Sequence, residues 1–393
     1  MSSDSVVIVA AKRTPMGAFQ GSLSDAQSPE LAATAITACV EESGTDVGTI
    51  SEVLLGCVLP AGLGQAPARQ AALGAGIPLS AGCTTLNKVC GSGMKAAMLA
   101  HDLIKVGSAG VVVAGGMESM TNAPYLMPKA RSGYRIGHQE VLDHMFFDGL
   151  QSPFDGNMMG HFAEVTAKKY NFSREDQDNF AIESVTRSRD AASSGAFKAE
   201  IAPVTMKTRK GDVTVSDDDG PAAASLEKIP TLRPAFAKDG TVTAASSSSI
   251  SDGAAALILM SASEARRHGL KPLATIAGHS GFAHAPEWFT TAPIFAIRAL
   301  HEKLGWDPGH VDLYEINEAF ACVTMAAMKD LGLDHAEVNV NGGACALGHP
   351  IGASGARIIV TLLHALHARK LKRGIASLCI GGGEATAIAL EIE

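Results

Sequence analysis

The sequence predicts a large α/β protein made of two similar halves, and three observations carry that expectation. Strand-length apolar runs alternate with Ala-rich segments of helical periodicity along most of the 393 residues. A helix-opening motif, then a strand, then a glycine cluster recurs in the same order in both halves. Between them lies a stretch of different composition, too long and too patterned to be a linker.

In the first half, residues 6–10, 52–58 and 109–114 read as buried strands and residues 93–106 as a helix. Cys90-Gly91-Ser92-Gly93 opens that helix, and the strand after it runs into Gly115-Gly116-Met117-Glu118. The second half has strands at 274–278, 311–316 and 375–380 and a helix at 353–368. There Gly352-Ala353-Ser354-Gly355 opens the helix, and the next strand runs into Gly381-Gly382-Gly383-Glu384. Alternating strands and helices imply a sheet covered on both faces. The 41 glycines imply tight turns and close backbone packing. Residues 120–250 stand apart, with Pro124, Pro128 and Pro153, the acidic Asp217-Asp218-Asp219 and the tract Ser246-Ser247-Ser248-Ser249. A polar helix is expected over 173–194 with Ser173 as its N-cap. An insertion leaving a strand end is well placed to cover a site there.

Composition narrows the function. Apolar residues make up 46% and charged residues 18%, enough for a large core. Lys and Arg number 32 against 40 Asp and Glu, a net charge of −8, which weighs against nucleic acid as the main partner. A small anion held by a few local basic groups stays compatible with it. The seven cysteines are odd in number, dispersed and free of CxxC pairs, so neither a disulfide frame nor a zinc site is expected. A reducing compartment suits them. No basic segment precedes the first apolar run, and that run is far too short to span a bilayer. A cytoplasmic location without membrane association is therefore expected.

Four clusters can do chemistry. In Asn87-Lys88-Val89-Cys90-Gly91-Ser92-Gly93, a cysteine at a helix entry meets backbone N–H groups and the positive dipole end, which favour thiolate. A buried free cysteine packing as a small hydrophobe is the commoner fate of such a residue. In the run from Asn339 to Gly355, His349 sits between glycine-rich turns just ahead of the repeated helix. If the halves pack about a pseudo-twofold axis, it lies near the Cys90 turn and could take the thiol proton, leaving a thiolate–imidazolium pair. The plainer reading is a histidine hydrogen-bonded in a turn. Ser377-Leu378-Cys379-Ile380-Gly381 adds a second thiol at a strand end; a thiol of ordinary pKa ~8.5 becomes a proton carrier when its surroundings shift it. Asn317-Glu318-Ala319-Phe320 offers an amide that could fix a water or an oxyanion, or simply cap a helix. Other signals are weaker. Gly381-Gly382-Gly383 lacks the order of a dinucleotide loop, and neither a phosphate-binding loop nor HExxH occurs. His364 and His367 share a helix at i, i+3 without a nearby acid, so no metal is expected.

Asn87–Gly93, Asn317–Phe320, residues 342–355 and residues 379–383 resemble the four signature segments of the thiolase family. The resemblance runs from Ala10-Ala11-Lys12-Arg13-Thr14-Pro15 almost to the end, through Ala114-Gly115-Gly116-Met117-Glu118-Ser119-Met120 and Asp252-Gly253-Ala254-Ala255-Ala256. It implies a duplicated thiolase fold, a five-layer α/β/α/β/α sandwich with an inserted loop domain. The halves would be residues 1–120 with 251–272, and 273–393, and the CoA-binding insertion 121–250. It implies that Cys90 is acylated, that His349 activates it, and that Cys379 moves the proton on the substrate α-carbon. Asn317, through a water, and His349 would form one oxyanion hole. The N–H groups of Cys90 and Gly381 would form the other, and one such donor can be worth ~3 kcal/mol. Leu150, Met159, Phe236, Ala244, Ser248, Ala319 and Phe320 would line an apolar channel for the pantetheine of coenzyme A. Coenzyme A enters as substrate and product, with no further cofactor. A homotetramer of two dimers is implied as well.

Two departures from the family pattern fall near the pocket: Met158 precedes Met159-Gly160 where many short-chain members have histidine, and Ser246 and Ser251 replace asparagines. Phe289, at a variable position, would favour short acyl chains. The expected activity is acetyl-CoA C-acetyltransferase, a reversible ping-pong condensation of two acetyl-CoA molecules. A 3-ketoacyl-CoA thiolase of broader chain length is the near alternative. A ketoacyl synthase relative would need no second catalytic thiol, and a non-catalytic acyl-CoA-binding relative would be expected to lack part of the Cys90, His349, Cys379 set.

Overall fold

The computed structural model describes residues 4–209 and 211–392. Its main strands join in one ten-stranded sheet. The first half supplies β1 (Val6–Arg13), β2 (Ile50–Gly56), β3 (Gly82–Leu86), β4 (Val111–Ser119) and β5 (Ser251–Ser261). The second half supplies β6 (Ala274–Ala283), β7 (Leu313–Ile316), β8 (Arg373–Ile380) and β9 (Glu384–Glu391). A two-residue piece, Gly17–Ala18, pairs with β5. The order is β3-β2-β4-β5-β1 continued by β6-β9-β8-β7, so the halves meet along β1 and β6. That seam is short, with only Val7 opposite Thr275 and Ile8 opposite Ala274.

Pairing directions match between the halves. β2 runs parallel to β3 and β4, and β5 antiparallel to β4 and β1. In the second half β7 is parallel to β8, and β9 antiparallel to β8 and β6. The counterpart of β3 has shrunk to a parallel bridge between Tyr314 and Val338.

The main helices are α1 (Ser28–Ser43), α2 (Pro67–Gly74), α3 (Ser92–Lys105), α4 (Met159–Tyr170), α5 (Arg174–Ser194), α6 (Ala292–Leu304), α7 (Ala321–Leu331) and α8 (Ser354–Arg369). Alternation along the strands sorts them into layers. Val112 and Ala114 of β4, with Ala376 and Leu378 of β8, turn to one core around Met94 and Ile104 of α3 and Ile358 and Leu362 of α8. Val111 and Val113 turn the other way, to Leu31 and Ile36 of α1. Ile375 and Ala387 pack on Ile297 and Leu300 of α6. The result is helix, sheet, helix pair, sheet, helix: five layers. Among the described residues no helix is long and apolar enough to cross a membrane.

The expected strands and helices are all present, with boundaries that moved for physical reasons. The glycines at 115 and 116, which the expected strand runs into, lie within β4. A Cβ on Gly115 would meet Ala255 O at 2.1 Å, and one on Gly116 would meet Gly352 O at 2.1 Å. They are glycines because other backbone occupies that space. The strand expected over 52–58 stops at Gly56, since the N–H groups of Val58 and Leu59 bond to the Glu118 carboxylate at 2.9 and 3.1 Å.

Residues 120–250 hold α4, α5 and two hairpins, Tyr125–Leu126 with Leu142–Asp143 and Val204–Thr208 with Gly211–Val215. Ser173 caps α5 as expected: its hydroxyl accepts from Asp176 N–H at 3.0 Å and Asp176 accepts from Ser173 N–H at 2.8 Å. Helix α5 reaches the second half, where Ser184 donates to Glu318 at 2.7 Å and Arg187 donates to Val338 O at 2.8 Å. The segment inserted in one half thus lies over the site-bearing loops of the other.

Candidate active site

Helices α3 and α8 pack against each other in the central layer, and the turns that lead into them carry the two foremost candidates. Gly93 and Gly355 make this contact close: a Cβ on Gly355 would meet Met94 N at 2.4 Å, and one on Gly93 would meet Ala356 N at 2.8 Å. Cys90 ends the sharp turn before α3. Ser92 holds that turn, accepting from Lys88 N–H at 2.8 Å and donating to Val89 O at 2.7 Å. Asn87 accepts from Val89 N–H at 2.8 Å.

His349 lies on the loop entering α8 and is 6% exposed. Its Nδ1 bonds to Ser354 Oγ, and that hydroxyl donates to Pro350 O at 2.9 Å. One hydroxyl has one proton, so the network assigns the Nδ1–H tautomer and leaves the Nε2 lone pair free. Asn317 Nδ2 approaches that lone pair at 3.5 Å.

Cys90 and His349 line one apolar cavity of about 370 Å³. All seven residues expected along the CoA channel line it too: Leu150, Met159, Phe236, Ala244, Ser248, Ala319 and Phe320. So do Gly381, Met158 and Phe289. Phe289 packs edge-on to Phe162 with ring centroids 6.1 Å apart and closes part of the wall. Cys379 and Asn317 sit behind the lining, 0% and 1% exposed. Asn317 caps no helix, since Phe320 stands at the N-cap of α7. Its main-chain N–H bonds to Ser377 O at 3.0 Å, while Oδ1 is buried without a protein partner. The Nε2 atoms of His364 and His367 meet Ala11 O and Leu273 O at 3.0 and 2.8 Å.

Charge at the site corrects one expectation. The helix entry does not yield a resting thiolate. Burial pushes the Cys90 thiol up to about 11, although the N–H groups of Gly381 and of Cys90 itself, within hydrogen-bonding reach, pull it down. Burial, with the nearby Arg357 guanidinium, lowers His349 to about 3. Cys379 is pushed well above an ordinary thiol by burial and by the neighbouring Cys90 and Cys322. At neutral pH the site therefore holds two thiols and a neutral imidazole, because desolvation outweighs the dipole of one helix end.

Two residues beyond the sequence reading hold the site together. Glu118, on β4, accepts from Val58, Leu59 and Gly352 N–H groups at 2.9, 3.1 and 2.9 Å, tying the loop before α8 to the first half. Burial raises it to about 7 against those bonds. Ser354 orients His349. Both stand inside motifs visible in sequence, but their roles depend on contacts that spacing does not encode.

A duplicated five-layer fold, with a half-buried cysteine at one half's helix entry and a histidine at the other's in a shared apolar cavity, defines an acyl-transfer enzyme of the condensing type. The chain belongs to the thiolase family: the thiolase N-terminal domain matches residues 6–263 and the thiolase C-terminal domain residues 270–392. It is 50% identical over 387 residues, 98% of each chain, to an acetyl-CoA acetyltransferase of Pseudomonas aeruginosa. It is 49% identical over 389 residues to acetyl-CoA acetyltransferase 1 of Arabidopsis thaliana, covering 98% of this chain and 94% of that one. The crystal structure of the Bacillus anthracis acetyl-CoA acetyltransferase superposes with a TM-score of 0.97 at 42% identity over 99% of both chains.

Proposed function

We propose that the protein is an acetyl-CoA C-acetyltransferase that condenses two acetyl-CoA molecules to acetoacetyl-CoA and CoA, reversibly. The observation that carries the reading is the meeting of Cys90, His349 and Gly381 in one apolar cavity, joined to full-length likeness to enzymes of that name. Cys90 Sγ attacks the thioester carbonyl as its proton passes to His349 Nε2, which then protonates the departing CoA sulfur. The N–H groups of Cys90 and Gly381 stabilise the oxyanion that develops. In the second half-reaction Cys379 passes its proton to His349 Nε2, and the resulting thiolate takes an α-proton from a new acetyl-CoA. The enolate oxygen is held by the His349 Nε2–H and by a water on Asn317, and the enolate carbon attacks the acetyl group on Cys90. The Cys90 thiolate leaves and recovers its proton from His349.

Coenzyme A is substrate and product here, its pantetheine lying along Leu150, Met159, Phe236, Ala244, Ser248, Ala319 and Phe320. Phe289 and Phe162 support a short acyl group. A homotetramer and a cytoplasmic setting belong to the same proposal, supported by the exposed Tyr125, Ile136 and Phe147 and by seven unpaired cysteines. The test is thiolysis of 3-ketoacyl-CoA substrates of increasing length. The expected result is a kcat/KM maximum at acetoacetyl-CoA; a maximum at medium or long chains would replace it with a broad 3-ketoacyl-CoA thiolase.

A further inference from the structure

His101 and Asp102 are consecutive residues late in α3, in the first half, and His279 lies in β6, in the second. Their donor atoms converge on one point. His101 Nδ1 and Asp102 Oδ1 are 3.0 Å apart, His279 Nε2 and Asp102 Oδ1 2.9 Å, and the two ring nitrogens 3.2 Å. The rings meet edge to face with centroids 5.0 Å apart.

Hydrogen bonding alone cannot satisfy this triangle. A carboxylate oxygen only accepts, so both ring nitrogens must carry protons to bond with it. The nitrogens then face each other as two donors. Despite burial, the two imidazoles lower the pKa of the carboxyl and keep it ionised, and any other proton assignment then moves the like-with-like contact to a different side. A cation at the centre turns all three lone pairs inward and removes the conflict. The dimensions fit: with metal–donor bonds of about 2.0–2.2 Å, donors at right or tetrahedral angles lie about 2.9–3.5 Å apart.

We propose that His101, Asp102 and His279 form a binding site for a divalent first-row transition ion of the zinc type, with water completing the coordination. Two imidazoles and a carboxylate suit such an ion better than they suit magnesium or calcium. The histidine side chains are 12% and 13% exposed and that of Asp102 52%, so the site is shielded yet open to solvent on one side. Lys303 Nζ donates to His279 O at 3.0 Å, and its charge moderates the affinity. His101 stands about 14 Å along α3 from its first turn at 1.5 Å per residue, away from Cys90. The ion therefore links the central helix of one half to a strand of the other, and takes no part in acyl transfer.

The test uses untagged full-length protein stripped with a chelator, titrated with Zn²⁺ by calorimetry and with Co²⁺ by absorption. One Zn²⁺ binds per chain and raises Tm, and Co²⁺ gives visible bands without intense sulfur-to-metal charge transfer. Both His279→Ala and Asp102→Asn weaken Zn²⁺ by about 100-fold or more, with acetyl transfer unchanged. Undiminished binding in the two variants, a charge-transfer band marking cysteine ligation, or no binding by the parent protein would each overturn the proposal.

Discussion

Val89 has φ of 47°, the left-handed region that a β-branched side chain rarely enters. Strain of this kind persists where neighbours over-determine the backbone, and here Asn87 accepts from the Val89 N–H while Ser92 donates to the Val89 carbonyl and accepts from the Lys88 N–H. The turn aims Cys90 at the cavity while leaving N–H groups beside the sulfur. Chemistry at Cys90 then depends on timing rather than on a standing ion pair. The thiol is neutral below about 11 and the imidazole neutral above about 3, so across ordinary pH neither is charged. Alkylation of Cys90 by iodoacetamide, followed by peptide mass spectrometry, is accordingly expected to rise about tenfold per pH unit from 6 to 9. A plateau beginning near pH 6–7 would mean that a thiolate–imidazolium pair exists at rest. At this scale the sequence singled out the candidate residues but misread the charge of Cys90, pointing to a thiolate where burial keeps a thiol. Glycine-rich motifs single out Cys90, His349 and Cys379. Desolvation, Arg357 and the Ser354 hydroxyl depend on packing.

At the scale of elements, the pairing of α3 with α8 sets the distance between the two first turns. Gly93 and Gly355 allow it, each lying against backbone of the opposite helix. Gly355→Ala would force a Cβ to 2.4 Å from Met94 N, an overlap relieved only by separating the helices. The expected cost is about 1–3 kcal/mol, read as a lower denaturation midpoint, and activity should fall further than stability because Cys90 and His349 part. An unchanged midpoint would show that the helices have slack. Helix and strand periodicity was legible, and so was the duplication. The role of Gly115 and Gly116 was not, because a glycine that admits a neighbouring backbone is written with the same letter as one that makes a turn. His101, Asp102 and His279 escaped notice for a similar reason: a strand of one half meets a helix of the other, which no local spacing reveals.

For the whole molecule, the insertion is fastened where β1 ends. Arg13 is buried with Glu200 and Asp218; its Nη1 and Nη2 donate to the two Asp218 oxygens at 2.7 and 2.9 Å. Removing one partner of a buried pair strands the other charge at a cost of about 3–5 kcal/mol. Asp218→Ala should therefore lower stability by that amount in urea titration, and a loss below ~1 kcal/mol would mean that Glu200 alone suffices for Arg13. The acidic run was visible in sequence as a change of composition, but its partner on the first strand was not. The central claim, that Cys90 carries the acetyl group between two CoA molecules, is tested most directly by trapping. The protein is mixed with acetyl-CoA, quenched in acid and digested for mass spectrometry. The account predicts one acetyl thioester on the peptide bearing Cys90, still formed in Cys379→Ser and absent in Cys90→Ser. An acetyl group on another cysteine, or label lost in Cys379→Ser, would contradict it.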